Sequence, residues 1–170
     1  MKKEIVIVTF MVVLITSCVR DLSIFDNFVV PMVIDYSKSV EQTVEENGYY
    51  FINSNISSLE FIKNETVAKD SVIMKREAIF LNFNCSRQSK DIVEQMKLCG
   101  FRPGTAIELY SLGEQYPKSK RGMDLVALGS RTKDSLVPGL CEDIDGDGYV
   151  CLWRWSRNWT SGYWFLAFRE

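Results

Sequence analysis

Hydrophobic and polar positions change their pattern sharply along this chain. Ile5 to Ile15 is an apolar run broken only by Thr9. It is too short to span a bilayer and suits the apolar region of a signal peptide. Phe28 to Tyr36, apolar and β-branched, predicts a strand interrupted at Pro31. Ser39 to Glu46 predicts a short helix stopped by Asn47 and Gly48. Tyr49 to Ile52 reads as a short strand, Asn53 to Asp70 is polar and weakly patterned, and Val72 to Asn84 is strand-like. Two better-marked helices follow. In the first, Ser89 is placed to cap, Ile92, Val93, Met96 and Cys99 share one face, and Gly100 ends the helix. In the second, Thr105 and Glu108 form a capping-box pattern, and the helix runs on through Gln115 to a stop at Pro117. Leu125 to Leu128 is a short apolar strand. Beyond it the tail alternates, with Tyr149, Cys151, Trp153 and Trp155 on one strand face and Val150, Leu152 and Arg154 on the other. Tyr163 to Phe168, apolar on both faces, predicts a buried strand that includes Trp164. Strands with helices grouped between them indicate an α+β fold.

At 170 residues, 46% of them hydrophobic, the chain can build one domain with a substantial core. Its formal charge of −2 gives no mark of a nucleic-acid binder. Histidine is absent, which excludes Ser-His-Asp and Cys-His catalysis and His-ligated zinc. An enzyme here would rely on carboxylates, lysine, tyrosine or a metal, so the composition leans away from catalysis.

The basic start at Lys2 and Lys3, the apolar run, and the ending Leu14-Ile-Thr-Ser-Cys18 resemble a bacterial lipoprotein signal, in which the cysteine is lipidated and becomes the mature N-terminus. This divides the chain into a signal peptide at 1–17, a tether at 18–27 and a single α+β domain at 28–170. It places the protein in the bacterial cell envelope, lipid-anchored through Cys18 and facing outside the cytoplasm. With Cys18 lipidated, Cys85, Cys99, Cys141 and Cys151 form an even set suited to two disulfides in an exported domain. Cys141 with Cys151 across a turn, and Cys85 with Cys99, is the pairing expected first. Sequons at Asn55, Asn64, Asn84 and Asn158 are coincidental in a bacterial protein.

The run Gly100-Phe-Arg-Pro-Gly-Thr-Ala-Ile-Glu-Leu-Tyr-Ser-Leu-Gly113 and the closing Phe165-Leu-Ala-Phe-Arg169 resemble segments of C-type-lectin-like domains of the formylglycine-generating-enzyme type. Together with Tyr116-Pro and Val126-Ala-Leu-Gly-Ser130, their order is similar to that in uncharacterised proteins of candidate-phylum bacteria. The resemblance covers Asn47 to Glu170 and is strongest from Gly100 onward. It implies a single C-type-lectin-like domain with short strands and two central helices, whose C-terminal strands and loops display ligand contacts. The catalytic cysteine pair and the calcium-site motifs of the sugar-binding lectins have no counterpart in this sequence.

Asp143, Asp145 and Asp147 stand at positions 1, 3 and 5 of an EF-hand-like loop, with Gly148 at 6 and the Tyr149 carbonyl at 7. The twelfth position is Arg154 where a bidentate glutamate belongs, so this is no EF-hand. Calcium is the ion such a set would take with a completing carboxylate, Glu142 being nearest; otherwise the stretch is an acidic surface turn. Trp153, Trp155 and Trp159, interleaved with Arg154 and Arg157, are the candidate ligand surface, because arginine beside tryptophan stacks and recognises carboxylates or sugars. Lys118 to Arg121 reads as a solvated basic loop. The expected protein is an extracytoplasmic binding or display lipoprotein whose ligand is a sugar, peptide or protein, touching the membrane only through its lipid. The alternatives are a histidine-free, metal-assisted hydrolase and, if the N-terminal segment is not a signal, a cytoplasmic protein.

Overall fold

The computed structural model describes residues 27–51, 61–62, 73–84, 86–112, 123–142 and 148–170. Its strands are β1 (Asn27–Asp35), β2 (Tyr50–Phe51), β3 (Phe61–Ile62), β4 (Ile73–Asn82), β5 (Arg87–Gln88), β6 (Phe101–Pro103), β7 (Asp124–Val126), β8 (Arg131–Thr132), β9 (Leu136–Glu142), β10 (Gly148–Arg154), β11 (Asn158–Trp159) and β12 (Tyr163–Arg169). Its helices are α1 (Val40–Glu46), α2 (Ser89–Leu98) and α3 (Ala106–Tyr110). The mixed α/β content and sheet-rich core agree with the α+β expectation. The signal segment, Cys18 and most of the tether lie outside the described residues. None of the described helices is long and apolar enough to cross a membrane.

The main sheet runs β1-β4-β12-β7-β9-β10-β2, with β6 joined to β12 beside β7. β12 is its centre: β4 lies antiparallel on one flank, while β7 (parallel) and β6 (antiparallel) share the other. That position explains why Tyr163–Phe168 is apolar at successive positions: all six are buried. One face carries Val30, Met32, Ile34, Phe80, Leu125, Leu140, Val150, Trp164 and Leu166 against Val44 of α1 and Leu109 and Tyr110 of α3. The other carries Ile79, Leu81, Val126, Val137, Phe165 and Trp159 against Ile92 and Met96 of α2. Helices therefore cover both faces.

Local chemistry fixes the helix ends. Ser39 and Gln42 form a capping box on α1, and Gly48 follows its C-terminus at φ +73°. Gly100 does the same for α2 at φ +77°. Thr105 and Glu108 complete the expected box on α3.

Several expectations change. Pro31 does not interrupt β1, whose pairing with β4 runs unbroken through Pro31↔Glu77; β1 ends the sheet path, and an edge strand tolerates the missing N–H. Ser89 does not cap α2. It is the first helical residue, and Gln88, the N-cap, makes no side-chain cap bond. α3 stops at Tyr110 rather than continuing to Gln115. Trp155 falls just past the end of β10. β9 carries Pro138 and Gly139 side by side, which reads as a turn in sequence. Pro138 fits because its carbonyl, accepting from Ala127 N at 3.0 Å, faces the flank where β7 has already ended. The N–H that proline lacks would point to that same flank.

Candidate functional site

The hairpin of β9 and β10 organises the aromatic tail. Cys141 and Cys151 lie diagonally across it and form a disulfide, with Cα atoms 6.2 Å apart. The expected pairing is thus present, and such a link contributes about 2–4 kcal/mol. Cys99 is half-buried and receives a 3.7 Å contact from Gln95 Nε2. Cys85 lies outside the described residues, and its expected partnership with Cys99 with it. Gly139, opposite Cys151, leaves room for two neighbours. A Cβ there would stand 2.7 Å from Cys151 Sγ and 2.7 Å from Trp153 Nε1.

Trp159 is core rather than surface. It is 1% exposed, packs edge-on against Phe165 and Tyr163, and donates from Nε1 to Ser89 Oγ at 2.8 Å. Ser89 in turn donates to the Trp155 carbonyl at 2.6 Å. The hydroxyl expected to cap α2 therefore pins that helix to the aromatic tail, and β11 pairs with β5 beside it. Trp153 and Trp155 are half-buried, Arg154 is exposed and Arg157 half-buried. Trp155 N donates to Ser135 O at 2.8 Å, which draws Trp155 onto the turn between β8 and β9.

Two arginines lie on these indoles. The Arg157 guanidinium sits 4.4 Å from the Trp153 ring centre and 4.9 Å from that of Tyr163, and Nη2 donates to Tyr163 Oη at 2.5 Å. Arg131, from β8, lies 5.2 Å from the Trp155 ring centre. Cation–π contact of this kind holds a guanidinium in place without neutralising it. Arg131, Arg154 and Arg157 make no ion pair among the described residues. Asp124, paired in register with Tyr163, is half-buried; burial pushes its carboxyl above the usual range against the pull of Arg157. Two buried polar atoms here, Trp153 Nε1 and Arg157 Nε, have no hydrogen-bond partner, and both are donors. The cluster is rich in donors and short of acceptors.

Asp143, Asp145 and Asp147 lie outside the described residues, but Glu142 and Gly148, which flank them, stand at the opposite end of the hairpin from Trp153 and Arg154. β10 separates the two ends by about 20 Å at the usual strand rise. Tyr149 is half-buried within β10, and among the described residues no group of acidic or cysteine side chains is arranged to hold a metal. Lys118 to Arg121 also lie outside the described residues.

A second polar cluster stands on the other sheet face. Glu108, 0% exposed, accepts from Tyr36 Oη at 2.7 Å, Arg102 Nη2 at 2.6 Å, Arg102 Nη1 at 3.0 Å, Thr105 N at 2.7 Å and Thr105 Oγ1 at 3.0 Å. Burial pushes its carboxyl up, but the Arg102 hydrogen bonds and charge, with Tyr36 and Thr105, outweigh it and hold Glu108 below the usual range. Burial, then the neighbouring carboxylate, raises Tyr36 well above an ordinary phenol. With both oxygens occupied, Glu108 has no capacity left for a substrate, and the cluster is structural. Apart from Tyr36 it is formed by residues of the Gly100–Gly113 motif, which β6 joins to the closing Phe165–Arg169 motif, with Arg102 4.7 Å from the Phe168 ring centre.

Sequence reasoning missed Arg131, Asp124 and the bridging role of Ser89. Arg131 is distant from the aromatic tail in sequence and carries no motif, so only the β8–β9 turn reveals it. Comparison with protein-family models, curated proteins and solved structures finds no match.

Proposed function

We propose that the protein is an extracytoplasmic binding or display protein, anchored through lipid at Cys18, that takes its ligand on the surface formed by Trp153, Arg154, Trp155 and Arg157. The observation that carries this reading is that Arg131 and Arg157 lie on the half-exposed indoles of Trp155 and Trp153 with no ion pair among the described residues; Arg154, exposed at the end of β10, stands on the other face of that strand. Arginine and tryptophan side by side are enriched where proteins hold partners. The Cys141–Cys151 disulfide supports an oxidising compartment, as export requires. Trp159 contributes by anchoring α2 beneath the surface. The C-type-lectin-like relationship remains part of the proposal, supported by the order of the motifs around Arg102 and Phe168; those motifs carry the fold, and the display surface lies elsewhere.

The test is a panel of immobilised saccharides and peptides probed with the full chain and with Arg154→Ala/Trp155→Ala. Ligands retained by the first and lost by the second, with both proteins equally folded by circular dichroism, support the reading. Equal retention of every ligand by both proteins overturns it. The anchor is tested separately: mass spectrometry of membrane-extracted protein should find lipidated Cys18 at the N-terminus, and soluble protein retaining Met1 would exclude it.

A further inference from the structure

We infer that a second copy of this chain packs face to face on the exposed side of the β1–β4 ribbon, with Lys75 of each copy set against Glu77 of the other. The two strands pair in one unbroken antiparallel register from Asn27↔Leu81 to Asp35↔Ile73. β12 joins β4 only from Ile79 onward, so Ile73–Glu77 and their β1 partners form a ribbon two strands wide beyond the main sheet. Side chains alternate between its faces. Val30, Met32 and Ile34 are buried in the core shared with α1 and α3. Val29, Pro31 and Val33, with Ile73, Lys75 and Glu77 of β4 beside them, stand exposed on the other side.

This face is where the fold leaves apolar surface uncovered. Val29, Val33 and Ile73 are 52%, 45% and 64% exposed, and they are three of the four exposed large hydrophobics among the described residues. Such clustering, more than exposure alone, marks a contact surface. A shallow hollow of about 410 Å³ lies at the same rows, lined by Pro31, Met32, Val33, Lys75, Arg76 and Glu77. On this side α2 packs on Ile79 and Leu81 and leaves the rows from Ile73 to Glu77 bare. The ribbon is therefore a step beside the helix, one layer or about 10 Å deep, which is the spacing at which a second sheet face stacks.

The charges choose the occupant. Lys75 and Glu77 are neighbours on this face, and neither makes an ion pair among the described residues. The face thus carries equal and opposite charges next to an apolar row, and it complements itself. A twofold axis lying across the strands, between the Pro31–Glu77 and Val33–Lys75 rows, sets Lys75 of each copy over Glu77 of the other and Val33 over Pro31. Ile73 then approaches α2 of the other copy. Every contact is made twice. Pro31, in the middle of edge strand β1, obstructs growth of the sheet by strand addition there, so association goes through the face. The ribbon is small against the roughly 800 Å² per partner of a standard interface, so the dimer is weak, with a dissociation constant of about 10–100 µM.

The experiment follows the full chain by sedimentation velocity over concentrations of about 5–500 µM. Wild type should pass from monomer to dimer, and added salt should weaken the association. Lys75→Glu and Glu77→Lys each turn both ion pairs into like-charge contacts. Each should weaken self-association about tenfold with the circular dichroism unchanged. An equimolar mixture of the two variants sets the glutamates of one against the lysines of the other and should restore wild-type association. The double exchange Lys75→Glu/Glu77→Lys should associate as wild type does. Contact through another surface, such as the apolar run from Ile5 to Ile15, would not follow this pattern. A wild type that stays monomeric throughout, single changes that leave association unaltered, or a mixture no stronger than its components overturns the inference. Lys75 and Glu77 lie outside the proposed ligand surface, so these results leave the binding reading untouched.

Discussion

Replacing Glu108 with glutamine tests the polar cluster that joins β1, β6 and α3. The change keeps the side-chain shape and removes the charge. The carboxylate receives five hydrogen bonds in the structure, from Tyr36, from two nitrogens of Arg102 and from the N–H and hydroxyl of Thr105. Glutamine offers one acceptor oxygen, and its NH2 group must face donors wherever it is turned. Arg102 then loses its counter-charge. Breaking a buried pair in this way costs about 3–5 kcal/mol. The Arg102 side chain retains 30% exposure, so water recovers part of its charge. A loss of about 2–4 kcal/mol follows, a large share of the stability of a domain.

Urea unfolding should therefore show a lower midpoint for Glu108→Gln at an unchanged m-value. A double-mutant cycle with Arg102→Met should give a coupling of at least about 1 kcal/mol. The sign of the pH dependence is also fixed. Glu108 titrates in the folded protein below its ordinary value of 4.5, so its contribution is present above 4.5 and is lost as pH falls through the lower folded value. The gap between wild type and Glu108→Gln should narrow in acid. A loss under about 1 kcal/mol, or an additive cycle, would refute the claim that this cluster holds the fold together.

Gly139→Ala should lower stability by about 1–3 kcal/mol, because its Cβ would crowd Cys151 Sγ and Trp153 Nε1 and both belong to rigid groups; an unchanged melting temperature would show that the hairpin yields more easily than the contacts imply. Asp124 is the opposite case to Glu108. Its folded carboxyl is raised by burial above 3.8, so the stability linked to its protonated form is present below 3.8 and lost as pH rises through the folded value. Asp124→Asn should accordingly gain on wild type between acid and neutral pH, and urea midpoints that differ equally at both would contradict this.

Sequence patterning was most legible where a local rule decides the outcome. The Ser39 and Thr105 caps, the glycines that end α1 and α2, and the doubly buried β12 each depend on a few neighbouring residues. It failed where distant chain decides. Pro31 is harmless only because β1 is an edge, and Pro138 only because β7 has already stopped. Ser89 looked like a cap because a helix began there, yet Trp159 and Trp155 claim its hydroxyl from across the fold. The aromatic tail was legible as a group but not by role. Alternation placed Trp153 correctly, whereas the burial of Trp159 depends on β5 and α2, which pack against it from a remote part of the chain.

The arginines separate structure from function more clearly than the tryptophans do. Arg102 is half-buried against a fully buried carboxylate that also serves Tyr36 and Thr105, so its charge is matched within the fold. Arg131 and Arg157 are half-buried against aromatic rings, which orient a guanidinium but leave its charge unmatched. Folding alone would be served as well by a carboxylate or an apolar side chain at those places, since a partly desolvated charge without a counter-ion is costly. Retaining the cation therefore makes most sense if a counter-charge comes from outside the chain. Asp124 is the acidic group that acts on Arg157: the guanidinium pulls its carboxyl down against the larger upward push of burial, without an ion pair among the described residues. The structural arginine thus lies in the motif around Glu108, and the arginines that aromatic rings orient lie around Trp153 and Trp155, on the opposite face of the sheet.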